Sequence, residues 1–157
     1  MSQPRYARVD PADYKRLRNY EWYTKRGLKS FHAHTFARDS KTGKTKRKYM
    51  HRMLHETPEG MMIDHINHDG MDNRRANLRA ATRSQNLYNR KKWSGTYSSK
   101  FKGVTWHKGK RKWQARIGFQ NKRVHLGFFT DEIEAAKAYD RAAKKYHGEF
   151  AYLNFTD

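Results

Sequence analysis

Residues 93–100 read WSGTYSSK, and the chain changes character across them. Serine, threonine and glycine without apolar periodicity mark a linker. Before it, short apolar runs are broken by histidine, asparagine and basic residues. After it come three aromatic and β-branched runs and then one long amphipathic stretch. A seam there leaves neither side long enough for a large core. Apolar residues make up only 36% of the 157, while aromatics reach 14%. Two small modules with aromatic centres satisfy both constraints. The expected class is α+β, with domains at 1–92 and 101–157 joined by the linker 93–100.

Charge narrows the partners. There are 35 Lys and Arg against 15 Asp and Glu, a net +20. An excess of this size points to nucleic acid. A basic helix lying on a membrane would need a long run with cations on one face and bulky apolar residues on the other, and none is present. No apolar window of about 18 residues exists to span a bilayer. There is no cysteine, which excludes a disulfide framework and thiolate zinc. The start, MSQPRYARVD, has no hydrophobic signal region, so a cytoplasmic protein is expected.

The first domain opens with a small α/β lead-in. Asp10 can cap a short helix that has Pro11 at its first position, with Tyr14 and Leu17 on one face. Strands are predicted at Trp22-Tyr23 and from Ser30 to Ala37. The turn DSKTGK follows, and the chain returns as a strand from Lys46 to Met50. MHRMLH (50–55) reads as a helical turn stopped before Pro58. His51 and His55 stand at the i,i+4 spacing that can hold zinc, but no third ligand accompanies them, and zinc is not expected.

Residues 61–92 carry the most chemistry. A strand from Met61 to Asp64 ends at the pair Asp64-His65, the polar loop NHDGMD follows, and a second strand runs from Leu78 to Ala81. Ser84 caps a helix from Gln85 to about Lys92. This is a ββα unit with His65 at the end of its first strand, Asn77 before the second and Asn86 in the first turn of the helix. An imidazole, a carboxylate and two amides at these positions suggest a metal and a base acting on a phosphodiester. The plainer alternative is that Asp, His and Asn close and cap turns.

The second domain reads as three antiparallel strands, Phe101 to His107, Trp113 to Phe119 and Arg123 to Phe129, packed on one helix. Asp131 and Glu134 form a capping box, and Ile133, Ala136, Tyr139, Ala143 and Tyr146 make one stripe that Gly148 ends. Residues 96–127 hold nine cations (Lys100, Lys102, Lys108, Lys110, Arg111, Lys112, Arg116, Lys122, Arg123) and no acid, whereas 128–157 hold more acids than cations. The sheet face away from the helix is therefore expected to meet an anion, and a ribbon of strands can enter a major groove. Mere solubility would favour mixed signs.

Two resemblances follow from these motifs. DHINHDGMDNRRANLRAATRSQN, with VDPADYKRL and KYMHRMLH before it, resembles HNH endonucleases, especially phage and intron-encoded homing enzymes in which asparagine replaces the final histidine. FKGVTW, KWQARI, RVHLGFFT, EAAKAYDRAAKKYHG and LNF resemble the plant ethylene-response-factor, or Apetala-type, DNA-binding domain. The combination resembles a homing endonuclease of a mobile element, in a bacterial or phage-infected cell.

The first resemblance implies His65 as general base, Asp64 and Asn86 as metal ligands, and Asn77 as the residue that holds the loop and orients the base. Mg²⁺ suits a carboxylate and an amide oxygen, with Mn²⁺ as the substitute. Arg74, Arg75 and Arg79 are expected to touch phosphates or transition-state charge, or else to be solvated or paired within the chain. The second resemblance implies DNA contact from Lys102, Thr105, His107, Lys112, Arg116, Arg123 and His125. Thr105 and His125 replace the usual Arg and Trp, Arg116 replaces a Glu, and the turn Lys108 to Arg111 lacks Pro-Trp-Gly. The fold should carry over, therefore, and the base preference should not. Trp106, Trp113 and Phe128 are expected in the core. The partner is double-stranded DNA, with no membrane and no small-molecule cofactor. One site per chain implies a monomer, or a weak dimer for a double-strand cut. RNA is disfavoured because the sheet lacks the aromatic motifs of RNA-recognition domains.

Overall fold

A computed structural model describes residues 5–27, 30–92 and 95–155; Trp93 and Ser94, the start of the expected linker, lie outside the described residues. The chain forms two compact units, Met1–Arg83 and Ser84–Asp157. The division falls ahead of the ββα helix, whereas the sequence suggests a seam at 93–100.

The first unit begins with α1 (Pro11–Leu17), with proline at its start. Asp10 is extended and makes no cap; its carboxylate instead accepts from the Arg75 backbone N–H at 2.7 Å. Strands β1 (Tyr23–Arg26), β2 (Phe31–Arg38) and β3 (Thr45–Tyr49) form an antiparallel sheet in chain order. The β2–β3 turn is closed by the Asp39 carboxylate, which accepts from the N–H groups of Lys41 and Thr42, and Gly43 takes φ +66°. Helix α2 (Met50–Leu54) follows β3 without a loop. Then β4 (Met62–His65) and β5 (Leu78–Ala81) pair antiparallel, with His65 opposite Leu78 and Asp64 opposite Arg79. Leu17, Ala33, Met50, Leu54, Met71 and Leu78 form the core, so both helices, the sheet and the hairpin share one centre.

The second unit takes α3 (Arg83–Tyr88) from Ser84 onward. Tyr88 stacks on His147 with ring centroids 3.7 Å apart, and the Lys92 ammonium donates to the carbonyls of Ser99 and Phe101. The described end of the expected linker is thus fastened down; Ser99 is buried, and its hydroxyl accepts from the Phe101 N–H.

Strands β6 (Val104–His107), β7 (Lys112–Phe119) and β8 (Lys122–Phe129) form an antiparallel sheet, and α4 (Glu132–His147) packs on one face. As expected, Asp131 caps α4, accepting from the Glu134 N–H at 2.8 Å, and Gly148 ends it at φ +55°. Ile133 departs from the expected stripe and is exposed, while Ala135, Ala136, Tyr139, Ala142 and Ala143 are buried. Gly103, at φ +77°, lies where any Cβ would overlap the Tyr139 ring. The Asp140 carboxylate accepts from the Asn154 and Phe155 N–H groups, pinning the last described residues to the helix. Among the described residues no helix is long and apolar enough to cross a membrane.

Candidate active site and nucleic-acid interface

The loop between β4 and β5 is built from its own short polar side chains. Asn67 accepts from the Asp69 N–H, and Asp69 from the Met71 N–H, at 2.9 and 3.0 Å. Such bonds mimic backbone turns, which is why an Asn- and Asp-rich string holds a defined shape. Asp72 is wholly buried and accepts from Asn67 and from two nitrogens of Arg74, which holds its carboxyl at about 2. Asn77 closes the loop. Its oxygen accepts from the Asn67 N–H at 3.0 Å, and its amide donates to Asn67 Oδ1 and to the Asp72 carbonyl at 2.9 and 2.8 Å.

His65 ends β4 and is buried. Its Nε2 lies 3.5 Å from Asn73 Oδ1. Burial pushes its pKa below the usual histidine value, against the pull of Asn73 and the neighbouring carboxylates. Neutral imidazole, the form that can accept a proton, therefore prevails at neutral pH. Asp64 precedes it on the strand, where alternate side chains take opposite faces. That carboxylate is buried and accepts from Arg79 Nε and Nη2 at 3.0 and 2.9 Å.

Within the first unit the structure gathers Asp64, His65, Asn77 and Arg79 on one hairpin. Asn86 lies half-buried in α3, in the second unit. Asn77 has the loop-holding geometry, but the amide facing His65 is that of Asn73. Nothing in the sequence separates Asn73 from the other asparagines of the string. Arg74, Arg75 and Arg79, candidates for phosphate contact, each meet a carboxylate of this unit: Arg74 with Asp72 at 2.7 Å, Arg75 with Asp13 at 2.7 Å, Arg79 with Asp64 at 2.9 Å. Of the two expectations for them, intramolecular pairing is the one seen. His51 and His55 part company. His55 lies beside the Thr57 hydroxyl, whereas His51 turns to His32 and His65.

In the second unit Thr105, Lys112, Arg116, Arg123 and His125 are exposed on the sheet face away from α4, and His107 is half-buried there. Register accounts for the grouping: Thr105 lies opposite Gln114, His107 opposite Lys112 and Arg116 opposite His125. Gln114 fixes the His125 ring at 3.2 Å. Three expectations change. Phe128 is not under the helix; it sits on this outer face between His107 and His125, with the Lys110 ammonium 4.1 Å over its ring. The Lys102 ammonium donates to the carbonyls of Tyr88 and Arg90 at 2.6 and 2.8 Å, which makes it a structural tie. Trp113 packs against the core under the helix, whereas Trp106, expected there too, is 39% exposed and meets Trp113 edge-on.

The first unit thus carries a buried Asp-His pair on a ββ hairpin, and the second a basic three-stranded sheet packed on one helix. Comparison with known proteins agrees on both parts. Residues 48–88 match the family model described as HNH endonuclease. APETALA2-like protein 2 of Oryza sativa subsp. indica is 53% identical over 60 residues, covering 37% of this chain and 14% of that protein. Ethylene-responsive transcription factor WRI1 of Arabidopsis thaliana is 39% identical over 83 residues, 50% of this chain and 19% of that protein. The chain thus joins an HNH-type segment to an Apetala/ethylene-response-factor-like region. It spans less than a fifth of the length of these curated relatives, at 14% and 19%.

Proposed function

We propose that this protein is a metal-dependent DNA endonuclease of homing type, whose C-terminal sheet binds the duplex. The observation that carries this reading is His65: a neutral, buried imidazole beside Asp64, on a hairpin whose loop is locked by Asn67, Asp72 and Asn77. The match of residues 48–88 to the HNH endonuclease family model supports the same assignment.

His65 takes a proton from the attacking water, whose oxygen forms a bond to phosphorus as the bond to the 3′-oxygen breaks. Solvent protonates the departing oxygen. Asn73 and the rigid loop keep the imidazole oriented. Asp64 and Asn86 are the ligands this reading assigns to Mg²⁺ or Mn²⁺: a carboxylate and an amide offer hard oxygen donors, and Arg79, now seated on the Asp64 carboxylate, would have to yield to the ion. When bound, the ion supplies positive charge against the phosphate and the leaving oxygen. Arg116 and Arg123, exposed on the outer sheet face, contact the duplex together with Thr105, His107, Lys112 and His125. One site per chain cuts one strand per monomer.

A second reading is a DNA-binding regulator with a vestigial nuclease site. The Arg79 guanidinium seated on Asp64 favours it, as do relatives named as transcription factors. One assay separates the two. Supercoiled plasmid carrying the gene's own neighbourhood is incubated with Mg²⁺ or Mn²⁺ and the protein. The nuclease nicks it, and His65→Ala abolishes nicking while binding persists. Plasmid left intact by the wild type establishes the regulator.

A further inference from the structure

Three histidines from three elements meet in the first unit: His32 on β2, His51 at the start of α2 and His65 at the end of β4. One ring nitrogen from each lies within 4.8 Å of the other two. The ring centroids are 5.7 Å apart for His32–His51, 5.7 Å for His32–His65 and 5.2 Å for His51–His65. The nuclease mechanism uses only His65, which leaves the other two without a role.

Two of the three rings also carry a nitrogen that makes no hydrogen bond. Nδ1 of His32 and Nδ1 of His51 are buried and unpartnered. A buried polar atom without a partner is uncommon and asks for a reason. The cluster is also held in place. Any Cβ at position 70 would overlap the His32 ring, so glycine there lets the ring in. The Tyr49 ring lies over His51 at 5.5 Å and 18°. Burial and the other two histidines hold His51 near 3, and burial lowers His32 as well, so both rings stay neutral, the state that ligates.

We propose that His32, His51 and His65 form a binding site for one divalent cation of the Zn²⁺ class, and that its occupancy withdraws His65 from proton transfer. The donor set selects the ion. Three imidazole nitrogens suit Zn²⁺, Co²⁺ or Ni²⁺ and suit Mg²⁺ poorly. Zinc–nitrogen bonds of about 2.0–2.1 Å draw ligand nitrogens to roughly 3.3 Å apart, which small ring rotations achieve from the present spacing. A fourth position remains for water. The first clause stands on this cluster alone; the second rests on the nuclease assignment of His65.

The test uses the full chain without DNA, stripped by chelator and then titrated with Co²⁺. The expected result is the intense visible absorption of tetrahedral Co²⁺, saturating at one ion per chain, displaced by Zn²⁺ and lost in both His32→Gln and His51→Gln. Absence of these bands, or bands undiminished in both variants, overturns the site. Circular dichroism reports whether the variants fold. If they do not, X-ray absorption of the zinc-loaded wild type decides: three imidazoles around zinc support the site, and fewer overturn it. Nicking with Mg²⁺ is then measured with and without Zn²⁺. Inhibition of the wild type but not of His32→Gln supports withdrawal of the base; equal rates in a protein that binds Co²⁺ overturn that clause. Co²⁺ bands without any nicking mean that the ion site stands and the nuclease assignment fails. Nicking without Co²⁺ bands means the reverse.

Discussion

Replacing Asn77 by alanine tests whether the loop, rather than the strands alone, holds the candidate base. The wild-type side chain is 8% exposed. It makes three hydrogen bonds, to the Asn67 N–H, Asn67 Oδ1 and the Asp72 carbonyl, at 3.0, 2.9 and 2.8 Å. Each is worth about 1 kcal/mol net, and the Asp72 carbonyl is left buried without its donor, so the loss is at least about 3 kcal/mol. In a unit of this size 1 kcal/mol moves the melting temperature by roughly 4–8 °C, which puts the expected fall at about 12–24 °C. Asn77→Asp keeps the acceptor for Asn67 but turns both donors into an oxygen facing oxygens, so its loss is at least as large. Calorimetry of the full chain measures the shift, and hydrogen exchange locates it in residues 66–77. A fall under about 3 °C with unchanged loop exchange refutes the account, since Asn77 would then be dispensable to the loop.

Other outcomes follow from the same geometry. Gly103→Ala adds left-handed strain of about 1–2 kcal/mol and overlap with Tyr139 of about 1–3 kcal/mol, so the second unit should lose roughly 2–5 kcal/mol in denaturant melts; an unshifted midpoint would contradict the packing. His32, His51 and His65 all have folded pKa values below the unfolded one, so the unfolded chain takes up more protons as pH falls. Stability of the first unit should therefore drop below about pH 6.5 and keep dropping toward the folded values; a flat profile from pH 7 to 5 would refute neutral burial. By the same shift, the acid limb of nicking should lie below about pH 6.5, read from initial rates. Arg116→Ala with Arg123→Ala should reduce the slope of log binding constant against log salt by about 2, and an unchanged slope would remove the outer sheet face from the interface.

Local signals in the sequence served at α4 and β4 but failed at two expected caps, since Asp10 makes no cap and Ser84 lies inside α3. Asp131 and Glu134 announced the start of α4, Gly148 its end, and the short run before Asp64-His65 became β4. What escaped was set by distant partners or by parity. Arg75 pairs with Asp13 across most of the first unit, and no pattern near either residue predicts it. Phe128 changes face because the β7–β8 register slips at Ala115/Arg116 and Gly127 adopts φ +134°, which reverses simple alternation beyond that point. Lys102 is one more cation of a basic run in the sequence, and only the fold brings the carbonyls of Tyr88 and Arg90 to its ammonium. His32 was legible only as an alternating strand residue, so its meeting with His51 and His65 had no signal in spacing.

The distribution of paired charge separates the chemistry from the attraction to DNA. In the first unit carboxylates meet arginines one by one: Asp69 with Arg8, Asp72 with Arg74, Asp13 with Arg75 and Asp64 with Arg79. These pairs shape the hairpin and its loop, and they cancel much of the positive charge nearest His65. The sheet of the second unit has no acid from 96 to 127 with which to do the same. Its exposed cations therefore retain their pull on a polyanion. On the proposed reading, a phosphodiester approaching His65 would meet a buried imidazole and arginines already committed to carboxylates. Affinity should accordingly respond most to changes on the outer sheet face, and rate to changes on the hairpin.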